Sequence, residues 1–212
     1  MPPLNPSPGT PGLPFNTLIV GGGPASCAVL AKAARLGLLE DMLEGRVGPW
    51  RPPSEASVGE EKKGADEFSG HRGLAGVCVV DPGGVKEVGR GRLGDYVISS
   101  NTNADAFVTV VTKDKADGHP SERATGTVLS PLLEMPNGKS LLMVGEKIAP
   151  LKSIGDWLSD VGSVVRTTVE GSDMSRMYLG CTAVSLHQRM DEERGCLIWE
   201  VRESTRNGGG AA

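Results

Sequence analysis

Thr17-Leu-Ile-Val20 is a short, mostly β-branched run that stops abruptly at Gly21-Gly-Gly23, and Pro24-Ala-Ser-Cys-Ala-Val-Leu30 follows with helical character. Few local patterns restrict a chain this strongly. Branched side chains favour a strand, three successive glycines release the backbone into a turn other residues resist, and proline suits the first turn of a helix. The order strand, tight turn, helix is therefore written into residues 17–30.

Gly21-x-Gly23-x-x-Ser26 has the spacing of the dinucleotide fingerprint, with serine at the third glycine position. Each residue has a physical task in that reading. Gly21 turns the chain out of the strand, and Gly23 leaves room for a diphosphate to approach the backbone. Pro24, Ala25 and Ser26 open a helix whose free amides and positive dipole end face the anion. Ser26 departs from the pattern but is small enough to pack.

The second expected piece of such a unit is a buried strand ending in an acid. Val77-Cys-Val-Val80-Asp81 fits, a continuous apolar run of the kind found in parallel sheets. Asp81 would accept hydrogen bonds from a ribose. It lies 81 − 21 = 60 residues beyond the first glycine, where about 20 is usual. The excess is accounted for by residues 46–73, rich in charge, proline and glycine and without periodicity, read as a flexible insertion.

The remaining elements follow from periodicity. The first helix runs from about Ala25 past Leu36, with a second helical piece over Leu38–Glu44. Phe107–Val111 fits helix or strand equally. Pro136-Asn-Gly-Lys139 reads as a turn between the apolar pieces Leu129–Met135 and Leu141–Val144. Leu151, Ile154, Leu158, Val161 and Val165 mark an amphipathic helix to about Val169, loosened by Gly155 and Gly162. Met177–Gln188 and Cys196–Glu203 read as two strands of a hairpin around Asp191-Glu-Glu-Arg-Gly. Residues 1–14 form a Pro/Gly leader and 205–212 a frayed tail, which leaves 15–204 as one α/β domain.

Composition narrows the function. Lys+Arg 22 against Asp+Glu 26 gives a net charge of −4, which argues against a nucleic-acid-binding surface spread over the chain. No apolar run reaches the ~18 residues of a membrane span, and the leader has no signal-peptide pattern. A soluble, intracellular, cytoplasmic protein is expected. Cys27, Cys78, Cys181 and Cys196 lack metal or redox spacing and read as reduced, buried thiols. His71, His119 and His187 have no metal-ligand spacing and read as surface residues. No nucleophile elbow or phosphate-loop lysine is present, so catalytic residues are not assigned and redox chemistry would fall to a cofactor.

With this order of elements, the chain resembles the N-terminal part of FAD-dependent oxidoreductases with two dinucleotide-binding domains, such as flavin monooxygenases and pyridine nucleotide–disulfide oxidoreductases. Thr17-Leu-Ile-Val-Gly-Gly-Gly-Pro-Ala25 and Val77-Cys-Val-Val-Asp81 carry the resemblance, together with the helix from 151 and the hairpin after it. It implies a Rossmann-like α/β fold, incomplete at its C-terminal end, with a parallel sheet, flanking helices and a C-terminal hairpin. It implies diphosphate contacts at Gly21, Gly23, Pro24, Ala25 and Ser26, ribose contact at Asp81 and adenine contact at Val184. Arg90 or Arg92 would lie near the diphosphate or flavin, as would Ser100 and Asn101. FAD is the expected cofactor, NAD(P)H the expected electron donor, and the small-molecule substrate is open. The alternatives are a non-catalytic nucleotide-binding remnant or interaction module, and a Rossmann protein that uses NAD directly.

Overall fold

A computed structural model describes residues 8–9, 13–46, 74–114, 124–191 and 196–205. Residues 47–73 with His71, 115–123 with His119, residues 192–195 of the expected turn, and most of residues 1–14 and 205–212 lie outside them. The architecture is mixed α/β. Strand β1 (Phe15–Val20), helices α1 (Pro24–Arg35) and α2 (Leu39–Leu43) and strand β2 (Ala75–Asp81) come first. They are followed by β3 (Ser99–Asn103), α3 (Ala104–Thr112), α4 (Pro136–Val144), β4 (Ile148–Pro150) and α5 (Leu151–Glu170). Strands β5 (Arg176–Leu179), β6 (Cys181–Asp191) and β7 (Cys196–Thr205) complete the order.

The main sheet is parallel, with β2 between β1 and β5. Six of the seven β2 residues are buried, as a central parallel strand requires when both its faces are covered. The pleat divides its side chains. Val77 and Val79 join the core shared with α1, α3, α4 and α5, while Cys78 and Val80 pack with Cys181 at the start of β6. The β1 side is less protected on this second face, where Val20 is 61% exposed. β3 pairs with β4 and β6 with β7, each pair antiparallel and separate from the main sheet.

Trp157 on α5 is the centre of the core: fully buried, with its indole N–H donating to the Phe107 carbonyl at 2.9 Å. That bond gives the one polar atom of a large apolar side chain its partner. Arg35, 4% exposed, donates to the carbonyls of Val110 at 2.9 Å and Lys113 at 2.6 Å. A cation thus satisfies the C-terminal end of α3, where carbonyls lack intrahelical donors and the dipole is negative.

Three readings change. Met177–Gln188 is not one strand: Gly180, at φ +72°, breaks it, so that β5 joins the parallel sheet and β6 starts the hairpin. Pro136-Asn-Gly-Lys139 is the first turn of α4, with Pro136 at a position that needs no N–H and Gly138 against the ring of Trp157. Gly155 and Gly162 do not loosen α5, which is continuous over 20 residues. A Cβ on Gly162 would stand 2.1 Å from the Val88 carbonyl oxygen, and one on Gly155 would stand 2.8 Å from Gly94 N. These glycines let the segment 88–95 lie directly on the helix. Phe107–Val111 resolves as helix, within α3.

Candidate functional site

The glycine turn follows β1 at the carboxyl end of the sheet, and hydrogen bonds from three directions hold it. Gly21, at φ +97°, donates its N–H to the Val80 carbonyl at 2.8 Å. A side chain would be strained in that backbone conformation. The Gly22 N–H donates to Asp81 Oδ2, and the Gly22 carbonyl accepts from Gly89 N at 2.7 Å. The Ser26 hydroxyl donates back to the Gly21 carbonyl. Serine at the third glycine position is thus a latch across the turn, a role the spacing alone did not reveal.

Asp81 is brought to the turn across 59 residues of sequence. Its second oxygen accepts from Gly83 N at 2.7 Å, so one carboxylate ties the end of β2, the loop after it and the turn. A Cβ on Gly22 would crowd this carboxylate, at 3.2 Å from Asp81 Cβ and Cγ. Gly83 in turn accepts from Gly180 N at 2.8 Å, which joins the break between β5 and β6 to the same loop. Gly22, Gly83, Gly89 and Gly180 were not singled out from sequence. Asp81-Pro-Gly83 was the available signal, since an aspartate accepting from the amide two residues on is a common turn device.

Gly23 differs from Gly22. Among the described residues, nothing beyond its chain neighbours lies within 4 Å of the position its Cβ would take, which leaves the space over the turn open there. Pro24 starts α1 behind it, and the amides of Ala25 and Ser26 belong to the first turn, where a helix has no internal acceptors to offer. On the other flank, a Cβ on Gly91 would be 3.5 Å from Pro24 Cδ. Arg90, next to it, pairs with Asp95 at 3.4 Å and borders an open hollow of about 400 Å³ that Lys86 and Glu87 also line.

The other expected contacts are not gathered in the same way. Arg92 is exposed on the loop. Ser100 is buried and bonded locally, donating to the Thr102 carbonyl, while Asn101 is exposed on β3. Val184 is 58% exposed, at the irregularity in the β6–β7 register. The hydrogen bonds that draw Asp81 and Gly89 to the turn do not extend to any of these four.

Cys27 lies beneath the turn, its Sγ 3.8 Å from the Gly22 carbonyl. Burial, with the Asp81 charge adding to it, pushes its thiol up to about 12. A thiol this protonated is a poor nucleophile. Cys27 should therefore resist iodoacetamide in the folded protein at pH 8 and react once the chain is unfolded in urea, as peptide mapping by mass spectrometry would register. Because the folded value exceeds the unfolded one, the stability Cys27 contributes is present below pH 9 and falls as pH rises from 9 towards 12. Cys78 and Cys181 are likewise buried and not disulfide-bonded, and His187 is exposed on β6. Among the described residues there is no group of three potential metal ligands, and no helix is long and apolar enough to cross a membrane.

Comparison with known protein families, with curated proteins and with solved structures finds no match to this chain.

Proposed function

We propose that the glycine turn binds the diphosphate of a dinucleotide, with FAD as the primary ligand, in a Rossmann-like domain of oxidoreductase type. The observation that carries this reading is the meeting of Asp81 with Gly22 at the ends of adjacent parallel strands. An acid beside a glycine turn, at the carboxyl edge of a parallel sheet, is the arrangement that serves a ribose and a diphosphate together.

The residues suit the phosphate end of such a ligand. Open space over Gly23 admits an anion to the backbone, and the first amides of α1 supply donors with the dipole behind them. Gly21, Gly23, Pro24, Ala25 and Ser26 would hold the diphosphate and Asp81 the ribose. Arg90 stands on the flanking loop, where its charge would offset that of the phosphates. When bound, the flavin would supply the redox chemistry, with NAD(P)H as the electron donor. The chain's own contribution is to bind and orient it.

Purified protein tests this directly. A flavin absorbance band that survives gel filtration, or FAD uptake in calorimetry, supports the assignment. Uptake of NAD without flavin would move it to the direct NAD reading, for which Pro82 rather than arginine after Asp81 leaves no partner for a 2′-phosphate. Uptake of neither leaves a fold without the activity. Gly23→Val places a branched side chain in the open space and is expected to weaken dinucleotide uptake at least ~100-fold, because the anion loses its approach to the backbone. Equal affinity in the variant would remove the turn as the phosphate site.

A further inference from the structure

We propose that Asp81 is a selectivity residue of the glycine turn, admitting a diphosphate only when a ribose accompanies it. This rests on the dinucleotide reading above and adds what the turn refuses. The Asp81 carboxylate already holds the Gly22 N–H, the donor at the middle of the turn, and reaches Gly83 N at 2.7 Å with its other oxygen. A free phosphate or pyrophosphate arriving over Gly23 would meet a negative charge on the neighbouring peptide and find that peptide's donor taken. Like charges a few ångströms apart in a half-exposed site repel by an amount equivalent to roughly 10- to 100-fold in affinity.

A nucleoside diphosphate escapes this penalty. A carboxylate has about four acceptor sites. The two amides occupy two of them, which leaves about two for the hydroxyls of a ribose. The bonds they donate to a charged acceptor are of the stronger kind and offset the repulsion felt by the phosphates. The turn itself is braced against yielding: Gly89 N holds the Gly22 carbonyl at 2.7 Å, and the Ser26 hydroxyl holds the Gly21 carbonyl. Small anions therefore cannot gain the Gly22 amide by a shift of the loop alone. They must displace Asp81.

The test compares the full chain with Asp81→Asn, which keeps the shape and removes the charge, and with Asp81→Ala, which removes the acceptor. The probes are inorganic pyrophosphate and ADP, titrated by calorimetry. In Asp81→Asn, pyrophosphate affinity should rise ~10-fold or more and ADP affinity should fall ~10-fold. A ligand-free measurement accompanies them: amide hydrogen exchange at Gly22 should accelerate ~10-fold or more in Asp81→Ala. Pyrophosphate affinity that stays level or falls in Asp81→Asn, while the wild type binds ADP, overturns the selectivity role and leaves the dinucleotide reading standing. Unchanged Gly22 exchange in Asp81→Ala overturns it as well. Failure of every form of the protein to bind ADP or pyrophosphate overturns both.

Discussion

Gly162→Ala should cost the fold about 3 kcal/mol or more, although alanine is the better helix former by about 1 kcal/mol. The added Cβ would stand 2.1 Å from the Val88 carbonyl oxygen, 2.5 Å from its carbon and 2.8 Å from Gly89 N. All three are backbone atoms, so no side chain can swing aside. The loop cannot simply lift either, because Gly89 is bonded to Gly22 and lies against the Leu158 carbonyl. For a domain of this size the loss corresponds to roughly 6–12 °C in Tm. Urea titration should show a lower midpoint at an unchanged slope. A variant as stable as the wild type would mean that segment 88–95 is not seated on α5. The same shift would pull on the Gly22 carbonyl, so dinucleotide uptake at the proposed site should weaken beside the stability.

Gly76→Ala should be harsher still, with little folded protein accumulating. Its Cβ would fall 1.8 Å from the Leu43 carbonyl oxygen and 2.4 Å from Ser175 Oγ. Ser175, 1% exposed, donates to that carbonyl at 2.7 Å and accepts from Val77 N at 2.9 Å. A single hydroxyl therefore joins the end of α2, the central strand and the approach to β5. The alanine methyl would displace it and leave buried polar groups unpaired, at about 1–3 kcal/mol each on top of the steric cost. Soluble yield and the presence of a cooperative thermal transition decide the matter. A melt near that of the wild type would contradict the packing at Gly76.

These two positions show why part of the fold could be read from the sequence and part could not. β1, the glycine turn, α1, β2, α5 and the final hairpin each have a local signature: branched runs, a proline at a helix start, apolar residues at helical spacing. Gly155 and Gly162 have the opposite meaning in space from the one they have along the chain. Locally each weakens a helix, yet in the fold each is where a loop reaches it. Pro136-Asn-Gly138 misleads similarly, since the residues that make a turn also make a helix start, and only Trp157 across the core explains Gly138. Within the candidate site, Gly21, Gly23 and Asp81 stood out by type and order. What joins them did not, because the Gly22–Asp81, Gly22–Gly89 and Gly83–Gly180 hydrogen bonds are long-range and involve glycine backbone, which has no side-chain signature.

The order of strands in the main sheet also sets a timetable. β2 ends at Asp81, but its neighbour β5 ends at Leu179, 179 − 81 = 98 residues later. At a synthesis rate of about 5–20 residues per second, the central strand waits some 5–20 s on the ribosome with one edge unpaired. Contacts of such separation also slow folding after release, because loop closure precedes any gain from pairing. Over that interval β2, the most buried strand of the sheet, keeps an unpaired edge, and the Gly180–Gly83 hydrogen bond that braces the loop after it forms only once the wait has ended.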